Sequence, residues 1–183
     1  MTTALLIVDL QNDYFPGGAM PLVGSDAAVA QAARLLARFR DDGRPIVHVR
    51  HLSVQPGATF FLPGTPGAEI HPALHPAPGE PVVEKNFPNS FRDTTLQQQL
   101  KELAVDALLI CGAMSHMCID TTTRAAFDLG YRCSVAADAC ATLDLEYAGH
   151  QVAAVDVHTA YMAALARPFA NVDTTGALLD ALA

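Results

Sequence analysis

Two apolar runs, Ala4-Leu5-Leu6-Ile7-Val8 and Ala107-Leu108-Leu109-Ile110-Cys111, constrain this chain more than any other feature. Neither shows the alternation of a strand with one wet face, and each stops abruptly, at Asp9 and at Gly112. A strand that is apolar on both faces belongs inside a parallel sheet with helices on either side. Pro45-Ile46-Val47-His48-Val49, Val82-Val83-Glu84 and Cys133-Ser134-Val135-Ala136-Ala137 read as further strands, with a brief one near 169–172. The intervening stretches carry helical spacing. Ser25 or Asp26 caps a helix running to about Arg40 with Val29, Ala33, Leu36 and Phe39 on one face, and Gly43 ends it. Asp93 or Thr94 opens a second helix through Leu96, Leu100 and Leu103. Ser115 caps a third from His116 to about Leu129, closed by Gly130. A long helix is expected from about Glu146 to Ala166, and a short one at the C-terminus.

Strand and helix therefore alternate along one domain, residues 1–183, of the α/β class: a doubly wound parallel sheet in a Rossmann-like three-layer sandwich. Ligands of such folds bind beyond the carboxyl ends of the strands. Asp9, Lys85 and the segment from Gly112 to Cys118 all follow strand ends, so they share one rim although they are far apart in sequence. The stretch from His51 to about Pro81 is a long loop rich in Pro, Gly and His, a length that usually serves function.

Composition narrows the partners. With 19 Asp and Glu against 11 Lys and Arg the formal charge is −8, which argues against nucleic acid and anionic membrane as partners but says nothing about a small-molecule substrate, because a local field can oppose the net charge. No apolar stretch approaches a membrane span, and Met1 to Asp9 lacks the basic start of a signal peptide. Four cysteines with no C-x-x-C pair then suit the free thiols of a reducing cytoplasm.

Cys118 is the most informative residue. In the first turn of a helix, unpaired backbone N–H groups and the positive dipole end favour thiolate, so a lowered pKa is expected there. A cysteine at such a turn serves equally well as a small buried hydrophobe. Cys111 and Cys133 belong to apolar strands, and Cys140 has no evident base nearby. A carboxylate ending a buried strand, as Asp9 does, either satisfies loop N–H groups or takes part in chemistry. Lys85 alone reads as a solvated surface lysine. Together the three supply a nucleophile, a base and a cation.

At this point a resemblance becomes specific. Ala4 to Phe15, with Asp9-Leu10-Gln11-Asn12-Asp13-Tyr14-Phe15 at its end, resembles the opening of isochorismatase-like hydrolases. Val83-Glu84-Lys85 with Phe87 and Ser90-Phe91 resembles their lysine segment, and Gly112-Ala113-Met114-Ser115-His116-Met117-Cys118-Ile119 their nucleophile turn. Asp138-Ala139 after the fifth strand fits as well. The resemblance spans nearly the whole chain and implies an Asp9–Lys85–Cys118 triad. It further implies a cis peptide between Ala113 and Met114, and an oxyanion held by the backbone N–H groups of Met114 and Cys118. The implied reaction is C–N hydrolysis of an amide, imide or carbamoyl compound through a Cys118 thioester, with Asp9 moving the protons.

Nicotinamidases of this family carry an Asp-x-His metal motif after the second strand. Val49-Arg50-His51-Leu52-Ser53 has no acidic residue there, and His71 and His75 lie in a Pro-rich loop, so neither metal nor other cofactor is expected. Phe15, Phe87, Phe91 and His116 are candidate substrate contacts, and the family resemblance suggests a homo-oligomer, dimer or tetramer. Two other readings stand beside amide hydrolysis. One is vinyl-ether hydrolysis of isochorismate type, which needs an arginine for a dianion, with Arg50 and Arg92 as candidates. The other is a catalytically silent oligomeric scaffold.

Overall fold

A computed structural model describes residues 2–182. Six parallel strands form one sheet in the order β3-β2-β1-β4-β5-β8. They are β1 (Thr3–Val8), β2 (Ile46–His51), β3 (Val82–Lys85), β4 (Ala107–Ala113), β5 (Arg132–Ala141) and β8 (Asn171–Asp173). The apolar runs of β1 and β4 lie side by side at the centre, Leu5 opposite Leu109 and Ile7 opposite Cys111. Alternate residues of β1 feed two cores. Leu5 and Ile7 pack under α1 (Ser25–Asp41), while Ala4, Leu6 and Val8 face α2 (Leu96–Glu102), α3 (Asp120–Asp128) and α4 (Ala154–Leu165). Helix α5 (Thr175–Asp180) returns to the α1 side, where Asp138 accepts the Thr175 N–H at 2.7 Å and the Thr175 hydroxyl at 2.8 Å. The sheet is thus the doubly wound three-layer sandwich expected from the two-faced strands.

Strand order runs outward from β1 in one direction and from β4 in the other. The crevice between their carboxyl ends is the topological switch point, where such sheets bind ligands. Asp9 leaves β1 there in a left-handed conformation, φ 55°, which costs a non-glycine residue on the order of 1–3 kcal/mol. Gly112 makes the crevice tight. Its φ is +135°, and a Cβ at that position would lie 1.9 Å from the Val8 carbonyl oxygen.

Several sequence expectations need correction. The long helix from Glu146 is instead a hairpin, β6 (Leu145–Tyr147) and β7 (His150–Val152), followed by α4. Ala148 and Gly149 both take positive φ, 51° and 80°, the two-residue turn that suits the twist of a hairpin. Ser115 caps no helix. Residues Ser115–Ile119 form a wide turn in which the Met114 carbonyl accepts from Ile119 at 3.2 Å, and α3 begins only at Asp120. Gly24, not a side chain, stands before α1, and the Ser25 hydroxyl turns back to the Leu22 carbonyl. Asp138 lies inside β5, which runs on to Ala141, rather than after it. Of the described helices, none is long and apolar enough to cross a membrane.

The close approach at Gly112 sets a stability prediction. Gly112→Ala should cost roughly 3 kcal/mol or more, because Val8 backbone cannot yield cheaply. Gly79→Ala, at φ +92° with open space around it, should cost only about 1 kcal/mol. Urea unfolding with unchanged m-values measures both; equal losses would show that β1 and β4 are not held at this spacing.

Candidate active site

The site is built around a lysine buried out of reach of solvent. Lys85, the last residue of edge strand β3, points inward because its neighbours Val82 and Glu84 take the outer positions. Its side chain and that of Asp9 are both 0% exposed, and the ammonium lies 2.7 Å from Asp9 Oδ2. The same ammonium donates to Cys118 Sγ at 3.2 Å and to the Phe87 carbonyl at 3.1 Å, and it meets His51 Nδ1 at 3.1 Å. Burial pushes the Lys85 pKa down, but the Asp9 charge and contact with the Cys118 sulfur outweigh it and hold it above the ordinary lysine value.

Cys118 departs from expectation. A helix start was expected to lower its pKa; instead the thiol is pushed far up, first by burial and then by the adjacent Asp9 charge, with Lys85 opposing. Two features explain the difference. The thiol side is 5% exposed, and the wide turn beneath it is not a regular helix start. Burial thus favours the protonated sulfur at Cys118, while Lys85 keeps its proton. Neither Asp9 oxygen accepts a well-directed hydrogen bond, so the carboxylate is paired by charge but keeps lone pairs for a proton. The other cysteines lack this setting. Cys140 donates to the Ala136 carbonyl at 3.3 Å and Cys133 to backbone carbonyls, and burial pushes them up to about 12 and about 11.

His51 is the residue that sequence analysis undervalued, considering it only as a metal ligand. Burial and then the Lys85 charge lower its pKa, so it presents a neutral Nδ1 that accepts from the ammonium. Asp9, His51 and Cys118 offer donor atoms within 4.8 Å of one another, a spacing that a metal ion could use. The Lys85 ammonium already stands within 3.2 Å of all three, so a divalent cation would have to displace a charge of the same sign.

The Asp9-to-Phe15 motif proves to be largely a clamp. Gln11 is fully buried; it receives the His51 N–H at 2.7 Å and donates to the carbonyls of His51 and Ala68, each at 2.8 Å. Asp13 accepts from the Phe61 N–H at 2.6 Å and the Ala19 N–H at 3.1 Å, and Asn12 donates to the Pro66 carbonyl at 2.8 Å. One short stretch thus anchors the long 51–81 loop over the triad.

Above Cys118 opens a cavity of about 420 Å³. Its wall includes Tyr14, Phe60, Phe87 and Met117, with Ser53 and Asn86 as polar groups. Of the four candidate contacts only Phe87 lines it. Phe15 is core, against His71 at a ring distance of 4.2 Å; Phe91 stacks on Tyr131; His116 pairs with Thr142 Oγ1 at 2.6 Å on the far side of the turn. Tyr14, whose phenol is held protonated by burial and by the nearby Cys118 and Asp9, replaces them. Its place in the motif beside Asp13 was the available signal. The Ala113–Met114 peptide is cis, and the Met114 carbonyl accepts from Met117 and Ile119 while passing over Cys118 N–H between them.

A profile of the isochorismatase domain matches residues 3–174. An isochorismatase family protein of Bacillus subtilis is 49% identical over 98% of this chain and 99% of its own length. A streptothricin hydrolase of Streptomyces noursei is 39% identical over 78% of this chain and half of its own length. Among solved structures, an isochorismatase hydrolase from Oleispira antarctica superposes with TM-score 0.95 at 55% identity, covering 98% of this chain and 96% of that one. More distant matches include a nicotinamidase of Acinetobacter baylyi, 28% identical over 78% of this chain and 82% of its own length. They also include a cysteine hydrolase from Pseudomonas syringae, TM-score 0.91 at 26% identity over 97% and 91% of the two chains.

The opposed effects of Asp9 and Lys85 on the thiol can be separated. Lys85→Met removes the opposing charge and should move the pH midpoint of Cys118 alkylation by iodoacetamide upward. Asp9→Asn should move it downward, because the carboxylate that raises the thiol pKa is gone. Midpoints that both stay at the wild-type value would remove Asp9 and Lys85 from control of the sulfur.

Proposed function

The chain belongs to the isochorismatase family of hydrolases, and from that premise we propose that it cleaves the C–N bond of a small neutral amide, imide or carbamoyl compound through a thioester on Cys118. The observation that carries this reading is one ammonium in contact with both a buried carboxylate and a thiol sulfur. A streptothricin hydrolase and a nicotinamidase among the relatives support amide hydrolysis.

The steps follow from the resting charges. Substrate fills the cavity and displaces water; Asp9 then takes the Cys118 proton as the sulfur attacks the carbonyl carbon. Lys85 remains protonated throughout. It holds Asp9 ionised before the transfer and neutralises the thiolate during it, so the triad carries the same net charge on both sides of the step. The oxyanion of the tetrahedral adduct is stabilised by the N–H groups of Met114 and Cys118. Asp9 returns the proton to the departing nitrogen, the C–N bond breaks, and the amine leaves. Water, deprotonated by the same carboxylate, then attacks the thioester; the C–S bond breaks and the sulfur regains its proton.

A neutral substrate fits the cavity better than a dianion. Among the described lining residues there is no guanidinium. Arg50 faces the other side of the sheet between Glu69 and Glu84, and Arg92 lies 3.6 Å from the Phe87 ring centroid on the outside. Vinyl-ether hydrolysis of a dicarboxylate is therefore the weaker reading.

The test is an ammonia- or amine-release screen over small amides, imides and ureido compounds, with Cys118→Ala as the blank. A substrate found this way should lose on the order of 10³-fold or more in the blank. Rapid acid quench should give Cys118 heavier by the acyl group. Turnover that survives Cys118→Ala would contradict the thioester route.

A further inference from the structure

A second cavity, about 740 Å³, lies on the opposite face of the sheet from Cys118 and is lined by Asn12, Arg50, Glu69, Ile70, Val82 and Glu84, among others. Strand register fixes this relation. Arg50 pairs with Glu84 and His51 with Lys85 across β2 and β3, so neighbouring residues point to opposite faces. Helix α1 packs most heavily against β5, and on the same face residues of the 66–76 segment cover the cavity beside β2 and β3. The two cavities share one layer of backbone. Arg50, Glu84 and Asn12 line one; His51 lines the other with Lys85 buried against it, and Gln11 clamps His51.

The charges of the second cavity are unequal. Arg50 reaches both oxygens of Glu69, at 3.1 and 3.2 Å, and also pairs with Glu84. One guanidinium thus faces two carboxylates, whose side chains are still 58% and 52% exposed. Ile70, Pro72, Pro76 and Val82 add apolar lining. One surplus negative charge beside an apolar surface is complementary to an organic cation, an ammonium or amidinium on a hydrocarbon body.

We propose that this cavity is a binding site for a small organic cation, and that its occupancy is felt at Cys118 through the Arg50–His51 and Glu84–Lys85 residue pairs. A cation drawing Glu84 or Glu69 from Arg50 moves the ends of β2 and β3, and these carry Lys85 and His51, the buried ammonium and the imidazole that meets it. Coupling needs no further element, because each pair is one peptide bond long. The proposal does not depend on the identity of the substrate.

The probe is benzylammonium, with benzyl alcohol and benzoate as the neutral and anionic counterparts, added to the full chain labelled with ¹⁵N. Benzylammonium should shift the amides of Glu69, Ile70 and Glu84 saturably, and the two counterparts should bind more weakly. Glu69→Gln and Glu84→Gln, both exposed and outside the catalytic machinery, should each weaken it about 5-fold, the effect of losing one partly exposed charge contact. At saturation the rate of Cys118 alkylation by iodoacetamide should change at least about twofold in wild type, and each Gln variant should need about 5-fold more benzylammonium to reach half of that change. Three results would overturn the proposal: no saturable shift, shifts confined to Gly57, Ala58 and Met117 around the Cys118 cavity, or binding that leaves the alkylation rate unaltered. Equal binding of benzoate would overturn the charge assignment.

Discussion

An ammonium shut away from water is the constraint on which the rest of this structure depends. Unpaired, a charge so placed is too costly to keep, and Lys85 would lose its proton. It keeps the proton because Asp9, Cys118, His51 and the Phe87 carbonyl converge on it from four different segments. Removing one partner of such a pair typically costs about 3–5 kcal/mol, since the other charge stays buried. The same pair that is expensive for stability fixes the protonation states that chemistry needs. The sulfur sits beside a negative charge and out of water, which keeps it a thiol until substrate arrives. A reactive thiolate exposed at rest would be open to oxidation; a thiol that needs its own base is protected.

Positioning these groups takes more of the chain than the triad. The sheet delivers Asp9 and the Cys118 turn to its switch point, and Gly112 allows β4 to approach β1 there. Lys85 and His51 come from the outer strands β3 and β2, whose ends would be loosely held without the buried Gln11 between β2 and the long loop. Asp13 and Asn12 then fasten that loop at Phe61 and Pro66, so the cavity wall and the Asp9 carboxylate are set by one short stretch of chain. A short motif can carry a whole site in this way because its backbone turns sharply at Asp9, at positive φ.

The sheet was legible in the sequence because two-faced apolar strands have few alternatives, and the family followed from the three motifs around Asp9, Lys85 and Cys118. What failed depended on neighbours distant in the chain. Leu145 to Val152 has helical composition, yet the left-handed Ala148-Gly149 pair makes it a hairpin. Ser115 has the identity of a cap, but its hydroxyl is taken by His158 Nδ1 at 2.8 Å, 43 residues away. Phe15, Phe91 and His116 were named from position near strand ends, and position along a strand does not say which face of a turn a ring will occupy. The Cys118 pKa was misjudged in sign for a similar reason: dipole and cation are local signals, whereas desolvation belongs to the assembled fold.

The central claim is that the substrate-free enzyme stores its proton on sulfur, beside an ionised Asp9 and a charged Lys85. Neutron diffraction on deuterium-exchanged crystals locates those protons directly. The account predicts deuterium on Cys118 Sγ, three deuterons on Lys85 Nζ and none on Asp9. Deuterium on an Asp9 oxygen beside a bare sulfur would contradict it.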